Sequence, residues 1–366
     1  MSSSTFPVEV MNEIFRSSEL DHSTLANCCL LSKRYLDTAR KWLYFQIDVI
    51  FVEVAGGQPE EEDVVADEYA ATTGRLLHSL LGNASLRELV RSIAFVSTNG
   101  DDTSGVRLHR QDAVPTFLSL APNADRLSFS KDEDWYDEAL ASLTSHRLRH
   151  IRGLEVPDRI QFDARSTGIS FRLENLEDLT YNPENFQAGA YHTFTKLKSV
   201  CCTHWRIGSD DSCFSSSAPT LRKLGVPLHA LPDIQLHQYP RLDVLSINQI
   251  LPETLDLRLG DELPFWKSFK ESKFRTLMIA GRRMSSPLEE EVFAPHRGLL
   301  KYAPDSLKRI ELWGKVSLDR LRIMLKWGKL TELGIDDDMD ESDVELIRFM
   351  CESAGVELFH IPALSW

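Results

Sequence analysis

The chain has no long apolar run. Nowhere in its 366 residues is there anything near the roughly 18 apolar residues in sequence that a membrane span requires. The opening MSSSTFPVEV has neither the basic start nor the apolar centre of a secretory signal. No membrane contact is therefore expected, and the cytoplasm or nucleus is the expected location. Cations are scarce too: 41 Lys and Arg face 55 Asp and Glu, a formal net charge of −14. Affinity for a phosphate backbone comes from clustered cations, so nucleic acid is not an expected partner. The six cysteines, at 28, 29, 201, 202, 213 and 351, include two adjacent pairs and no C-x-x-C. That spacing suits neither a zinc ribbon nor a disulfide framework, and the thiols read as small core residues.

Catalytic signatures are missing as well. There is no G-x-S-x-G elbow, phosphate-binding G-x-x-x-x-G-K-[ST] loop, H-E-x-x-H or dinucleotide glycine fingerprint. Asp336-Asp337-Asp338-x-Asp340 resembles the start of a calcium loop, but its sixth position is Glu341 where Gly is needed and its twelfth is Ile347 where Glu is needed. It reads instead as a turn feeding a capped helix. His204-Trp205 reads as the closing pair of a core edge, and His229 and His237 as structural or surface residues. The Asn83-Ala84-Ser85 sequon has no secretory context. No catalytic residue, metal site or cofactor is expected, and the chain is not expected to be an enzyme.

What is present begins at the N-terminus. In FPVEVMNEIFRSSELDHSTLANCCLLSKRYLDTARKWLYF three short apolar stripes recur at helical spacing. Pro7 opens the first, which carries Val10, Met11, Ile14 and Phe15. Leu25, Cys28 and Cys29 form the second, and Leu36, Ala39 and Leu43 the third. A unit of about 40 residues buries too little surface to stand alone without metal, disulfides or a partner. Its apolar side chains are expected to be shared with another protein.

These residues resemble the F-box, the motif by which substrate receptors of SCF ubiquitin ligases dock on the Skp adaptor. The matching positions are Phe6-Pro7, Glu9, Ile14-Phe15, Leu25, the Leu31-Ser32-Lys33-Arg34-Tyr35 block and Trp42, with a pattern similar to fungal members. Phe6 stands where Leu is usual, Ser32 for Cys and Tyr35 for Trp. The resemblance implies adaptor contacts from Phe6, Pro7, Ile14, Phe15, Leu31, Tyr35 and Trp42. Trp42 and Ile14 fit the module's own core equally well.

Beyond it, Ile47 to Val54 reads as a strand, Glu53 to Glu68 as an acidic loop, and Leu76 to Leu81 as a helix. From residue 86 one pattern recurs: an apolar residue, two variable ones, a second apolar, one variable and a third. Copies are Ala124/Leu127/Phe129, Leu176/Leu179/Tyr181, Leu197/Val200/Cys202, Leu221/Leu224/Val226, Leu242/Leu245/Ile247, Phe274/Leu277/Ile279, Leu307/Ile310/Leu312, Leu330/Leu333/Ile335 and Val356/Phe359/Ile361. Leu148/Ile151 begins another copy that breaks at Gly153. Each copy predicts a short half-buried strand that can bury its face only by stacking on its neighbours. The unit resembles the leucine-rich repeat, though the Asn or Cys that family carries three residues after the third apolar position is absent. Capping patterns at Ser130, Ser286 and Ser342, and the pair Ser317 and Gly328, predict helices between strands.

The expected organisation is an α/β chain: a three-helix F-box over 1–46, a connector of strand, acidic loop and helix over 47–85, and an irregular leucine-rich-repeat solenoid with a curved parallel sheet over 86–366. The resemblance implies a non-catalytic substrate-receptor subunit of an SCF-type ubiquitin ligase, joined through the adaptor to cullin and holding a protein substrate on the variable strand positions. Among these Arg126, Arg152, Lys223 and Arg309 are the candidate substrate-binding cations. The alternative is a leucine-rich-repeat interaction scaffold without ubiquitin transfer.

Overall fold

Strand positions two apart that carry apolar side chains fall on one face of a sheet, and register between neighbouring copies sets them in rows. The computed structural model shows this arrangement; it describes residues 7–16, 22–31, 36–53, 68–99, 103–107, 110–129, 143, 145–156, 173–181, 194–202, 212–248, 264–280, 301–313, 318–336 and 341–361. The chain forms two compact units, one of residues 1–158 and 162–175 and one of residues 159–161 and 176–366. Among the described residues there are twelve parallel strands, four in the first unit and eight in the second, and helices lie in the connections between them. The fold is α/β and consistent with a solenoid-like chain.

In the first unit, helices α1 (Val8–Arg16), α2 (His22–Leu31) and α3 (Leu36–Leu43) precede the sheet. Strands β1 (Gln46–Glu53), β3 (Ser92–Asn99), β5 (Arg126–Phe129) and β6 (Gly153–Val156) run parallel in that spatial order. On the far side of β1, β2 (Glu68–Ala70) and β4 (Thr103–Arg107) add an antiparallel pair. Helices α4 (Ala71–Gly82), α5 (Ala84–Arg87) and α6 (Arg110–Leu120) fill the connections. Ile47, Ile93, Leu127 and Leu154 form one buried row and Val49, Phe95 and Phe129 a second. Phe95 stacks on Phe51 at 6.5 Å and on Phe129 at 5.3 Å, and meets the edge of Phe117 from α6 at 6.5 Å.

The second unit repeats the pattern in β7 (Asp178–Tyr181), β8 (Ser199–Cys202), β9 (Lys223–Pro227), β10 (Val244–Asn248), β11 (Thr276–Ala280), β12 (Arg309–Trp313), β13 (Glu332–Asp336) and β14 (Glu357–Ile361). One row runs Leu179, Val200, Leu224, Leu245, Leu277, Ile310, Leu333 and Leu358. The predicted helix after Ser317 forms at Leu318–Leu325, and the one expected to be capped by Ser342 forms at Glu341–Ala354, starting one residue earlier so that Ser342 lies inside its first turn; Gly328 and Gly355, at φ +73° and +68°, follow them in the left-handed conformation that glycine tolerates. The capping patterns at Ser130 and Ser286, and the acidic loop from residue 54 to 67, lie outside the described residues.

Three features differ from the sequence reading. Parallel pairing begins at β1, placed in the connector above, and Val90/Ile93/Phe95 is a complete copy of the unit that the reading passed over. At β6 the buried row takes Leu154, so the copy reads Ile151/Leu154 and not Leu148/Ile151. At β14 Leu358 aligns with Leu333, and Phe359 faces the other way, opposite Gly334. Both shifts came from taking Gly153 or Phe359 as a core position, when the register of the neighbouring strand decides which residue points inward.

The Asn ladder expected after each strand has a counterpart before it. Asn123 Nδ2 donates to the Glu88 carbonyl at 2.9 Å, Asn175 Nδ2 to Arg149 at 2.9 Å, Thr220 Oγ1 to Leu197 at 2.8 Å and Ser306 Oγ to Phe274 at 2.9 Å. Each bond ties one repeat to the carbonyl of the one before, satisfying backbone groups the turns would otherwise leave open. The sequon belongs here too: Asn83 Oδ1 accepts from Ser85 N at 3.1 Å and caps α5.

Candidate functional site

Two surfaces follow from this construction: the helical module and the sheet face opposite the core. The module closes around a small nucleus of Phe15, Leu25 and Ala39, with Met11, Cys28, Cys29, Trp42 and Leu43 packed against it. Trp42 Nε1 donates to Asn12 Oδ1 at 3.0 Å, pinning α3 to α1, and the Trp42 ring lies 5.2 Å from Phe45. Phe15 and Trp42 thus serve the module's interior. Val10 and Ile14, one helical turn apart on α1, remain 42 % exposed each, and Pro7 is exposed before them. Two apolar side chains at i and i+4 on one helix face make an apolar stripe directed at solvent. Phe6 and Tyr35 lie outside the described residues, as does the side chain of Leu31.

Of the four candidate cations, Arg126 in the first unit and Lys223 and Arg309 in the second stand on strand positions opposite the core, whereas the register that turns Leu154 inward moves Arg152 off the strand into the turn before β6. Arg126, on β5, and Arg152, just before β6, are exposed. Gly153 leaves room for Arg126, whose Cγ lies 2.9 Å from where a glycine Cβ would stand. Lys223, on β9, is half-buried. Arg309 is engaged within the protein: its Nε bonds Glu311 Oε1 at 2.7 Å, its Nη1 bonds Glu332 Oε2 at 3.2 Å, and its guanidinium lies 3.9 Å from the centre of the Phe359 ring. The sequence reading set Glu311 and Glu332 on the same face as Arg309, two residues and one strand away, but the spacing did not show that they bond to it.

Beside Arg309 the same face carries an apolar cluster that the repeat pattern does not announce. Met278, Trp313 and Ile361 are buried, and Val244 and Phe359 pack against them. Ser246, Glu311 and Asp336 are buried on this face as well. Asp336 is therefore the buried last residue of β13, not part of a solvated turn; the rest of the acidic run, Asp337 to Asp340, lies outside the described residues. Part of the signal was available in Val244 and Met278, apolar residues at variable positions of neighbouring strands, and in Trp313, one residue past its copy; Phe359 was hidden because it fitted the apolar template itself.

The remaining candidates settle simply. His237 is exposed, with Nδ1 2.9 Å from Ser268 Oγ; the side chain of His229 and the pair His204-Trp205 lie outside the described residues. Among the described residues no group of three or more His, Cys, Asp or Glu is arranged to hold a metal ion, and no helix is long and apolar enough to cross a membrane. Cys202 and Cys351 are buried, and Cys28, Cys29 and Cys201 are partly buried. No protein-family model matches the chain, and a search of curated proteins finds no relative.

Proposed function

We propose that the chain is a substrate-receptor subunit of an SCF-type ubiquitin ligase, with α1 to α3 as an F-box that docks a Skp adaptor and the parallel-strand repeats as a leucine-rich-repeat surface for the protein to be modified. The observation that carries this reading is the division of labour on α1. Met11 and Phe15 supply the module's interior, while Val10 and Ile14 face solvent beside Pro7. A three-helix unit of this size gains by covering such a stripe with a second protein, since burial of each side chain is worth about 1.5–3 kcal/mol. The receptor performs no chemistry; it raises the local concentration of a substrate lysine at the charged conjugating enzyme.

The test is recovery of adaptor and cullin with the full chain. The double substitution Val10→Asp/Ile14→Asp changes only exposed positions, so its thermal unfolding should match the parent while adaptor and cullin recovery falls at least about tenfold, the equivalent of 1.4 kcal/mol or more. Undiminished recovery with the double variant overturns the docking assignment. A parent chain that captures protein partners but never adaptor or cullin is the scaffold without ubiquitin transfer.

A further inference from the structure

The sequence reading expected no metal site, and it considered His204, His229 and His237 but not the pair in the short helix Ser145–His150. His146 and His150 stand at i and i+4, so both side chains project from one face of that helix. Their Nε2 atoms lie 3.1 Å apart, and the two rings are 4.6 Å between centres at an interplanar angle of 80°. Both residues are exposed, and among the described residues neither ring has another hydrogen-bonding partner.

We propose that His146 and His150 form a two-histidine chelate for one divalent cation of the zinc class, with water filling the remaining positions. The separation carries the argument. Two metal–nitrogen bonds of the usual 2.0–2.1 Å, spanning nitrogens 3.1 Å apart, enclose an angle of about 98°. That value falls between the roughly 90° of an octahedral or square-planar pair and the roughly 109° of a tetrahedral one, geometries taken by copper, nickel and zinc. In the metal-free pair the Nε2–Nε2 contact takes a proton on one of the two nitrogens. Metal entry uses the Nε2 lone pairs of both rings, and the ring that donated carries its proton on Nδ1 instead, so both bind as imidazoles with no net loss of a proton.

The helix that presents the pair is held from three sides, so little ordering is left for the metal to impose. Leu148 is fully buried beneath it. Arg147 donates to the carbonyls of Leu118, Ala121 at 3.2 Å and Pro122 at 3.0 Å. Asn175 Nδ2 bonds the Arg149 carbonyl at 2.9 Å, and the Arg149 guanidinium meets Glu174 at 3.3 Å. A rigid support of this kind is what preorganises a chelate. The Glu174 carboxylate also offsets the Arg149 charge beside the pair.

The experiment uses the full chain with its accessible thiols alkylated and Cu²⁺–nitrilotriacetate as probe, a complex that leaves adjacent positions open for two imidazoles. One equivalent should bind with pulsed-EPR modulation from imidazole nitrogens, and Zn²⁺ alone, titrated in a separate sample, should bind at one equivalent and more weakly than Cu²⁺. His146→Ala and His150→Ala should each lower the affinity at least about tenfold, because each leaves a single imidazole and no chelate. His237→Ala should leave it unchanged. All three positions are exposed, so circular dichroism should be the same for every variant. Equal binding of Cu²⁺–nitrilotriacetate, or of Zn²⁺ alone, by the parent and the His146→Ala/His150→Ala double variant overturns the proposal.

Discussion

At the level of single residues, Gly334 shows why the last strand runs as it does. A Cβ there would lie 2.6 Å from Phe359 Cζ, 2.7 Å from its Cε2 and 2.8 Å from Ile361 Cγ1. The missing side chain is what lets the Phe359 ring cross β13 and reach the Arg309 guanidinium. Gly334→Ala should therefore destabilise by about 1–3 kcal/mol, the usual cost of overpacking, and chemical denaturation will read it. In a Phe359→Ala background the same change should cost much less, since the colliding ring is gone; equal costs in both backgrounds would mean that the ring is not the obstacle. None of this was legible in the sequence, where Phe359 fitted the apolar template and Gly334 looked like a neutral variable position.

Cys351 supplies a pH dependence of known sign. It is fully buried in the helix Glu341–Ala354, and burial pushes its thiol from 9.0 up to about 11. The folded state thus keeps its proton over a range in which the unfolded chain releases it. Its contribution is fully present below about pH 9 and is lost as the pH climbs towards 11, by about 1.4 kcal/mol per pH unit within that window. Urea unfolding at pH 8, 9.5 and 10.5 measures this. Cys351→Ala is less stable at every pH for loss of packing, but should show a shallower alkaline decline than the parent; parallel declines would remove the thiol as the cause.

At the level of elements, Arg147 ties one connection to the next. Its guanidinium gathers carbonyls at the C-terminal end of α6, where a helix leaves acceptors without intrahelical donors and carries partial negative charge. Burial holds its pKa below the ordinary value, yet the three acceptors keep the cation satisfied. Arg147→Ala should cost about 1.5–3 kcal/mol, in the range for a hydrogen-bonded charge. Lysine, with a point charge in place of a planar fork, should recover only part of it in thermal unfolding.

Elements were legible in the sequence in proportion to how locally they are specified. The strands from β7 to β13 follow from apolar spacing alone, and the helices Leu318–Leu325 and Glu341–Ala354 from the glycines that follow them. β6 and β14 were misregistered because Leu148 and Ile151, or Phe359 and Ile361, satisfy the spacing template equally well as the residues that point inward. Phe15 was legible as important but not as interior, and Trp42 was left open between the interior and the adaptor, since a motif match does not say which side of a small helix unit a residue faces.

At the level of the whole molecule, the repeats make stability a matter of neighbours. In the second unit each strand from β8 to β13 pairs with one on either side, whereas β14 pairs only with β13 among the described residues. A chain of nearest-neighbour contacts opens most easily at its end, where one interface rather than two must be broken. Amide exchange should therefore be slowest in β10 and β11 and fastest in β14. Leu277, in β11, is fully buried in the central row; Leu277→Ala should cost about 2–5 kcal/mol and speed exchange first in β10, β11 and β12, with β8 affected least. If all strands of the unit instead exchanged at one common rate in the parent and moved together in the variant, the unit would unfold as a single body, and the one-dimensional account of its stability would have to be abandoned.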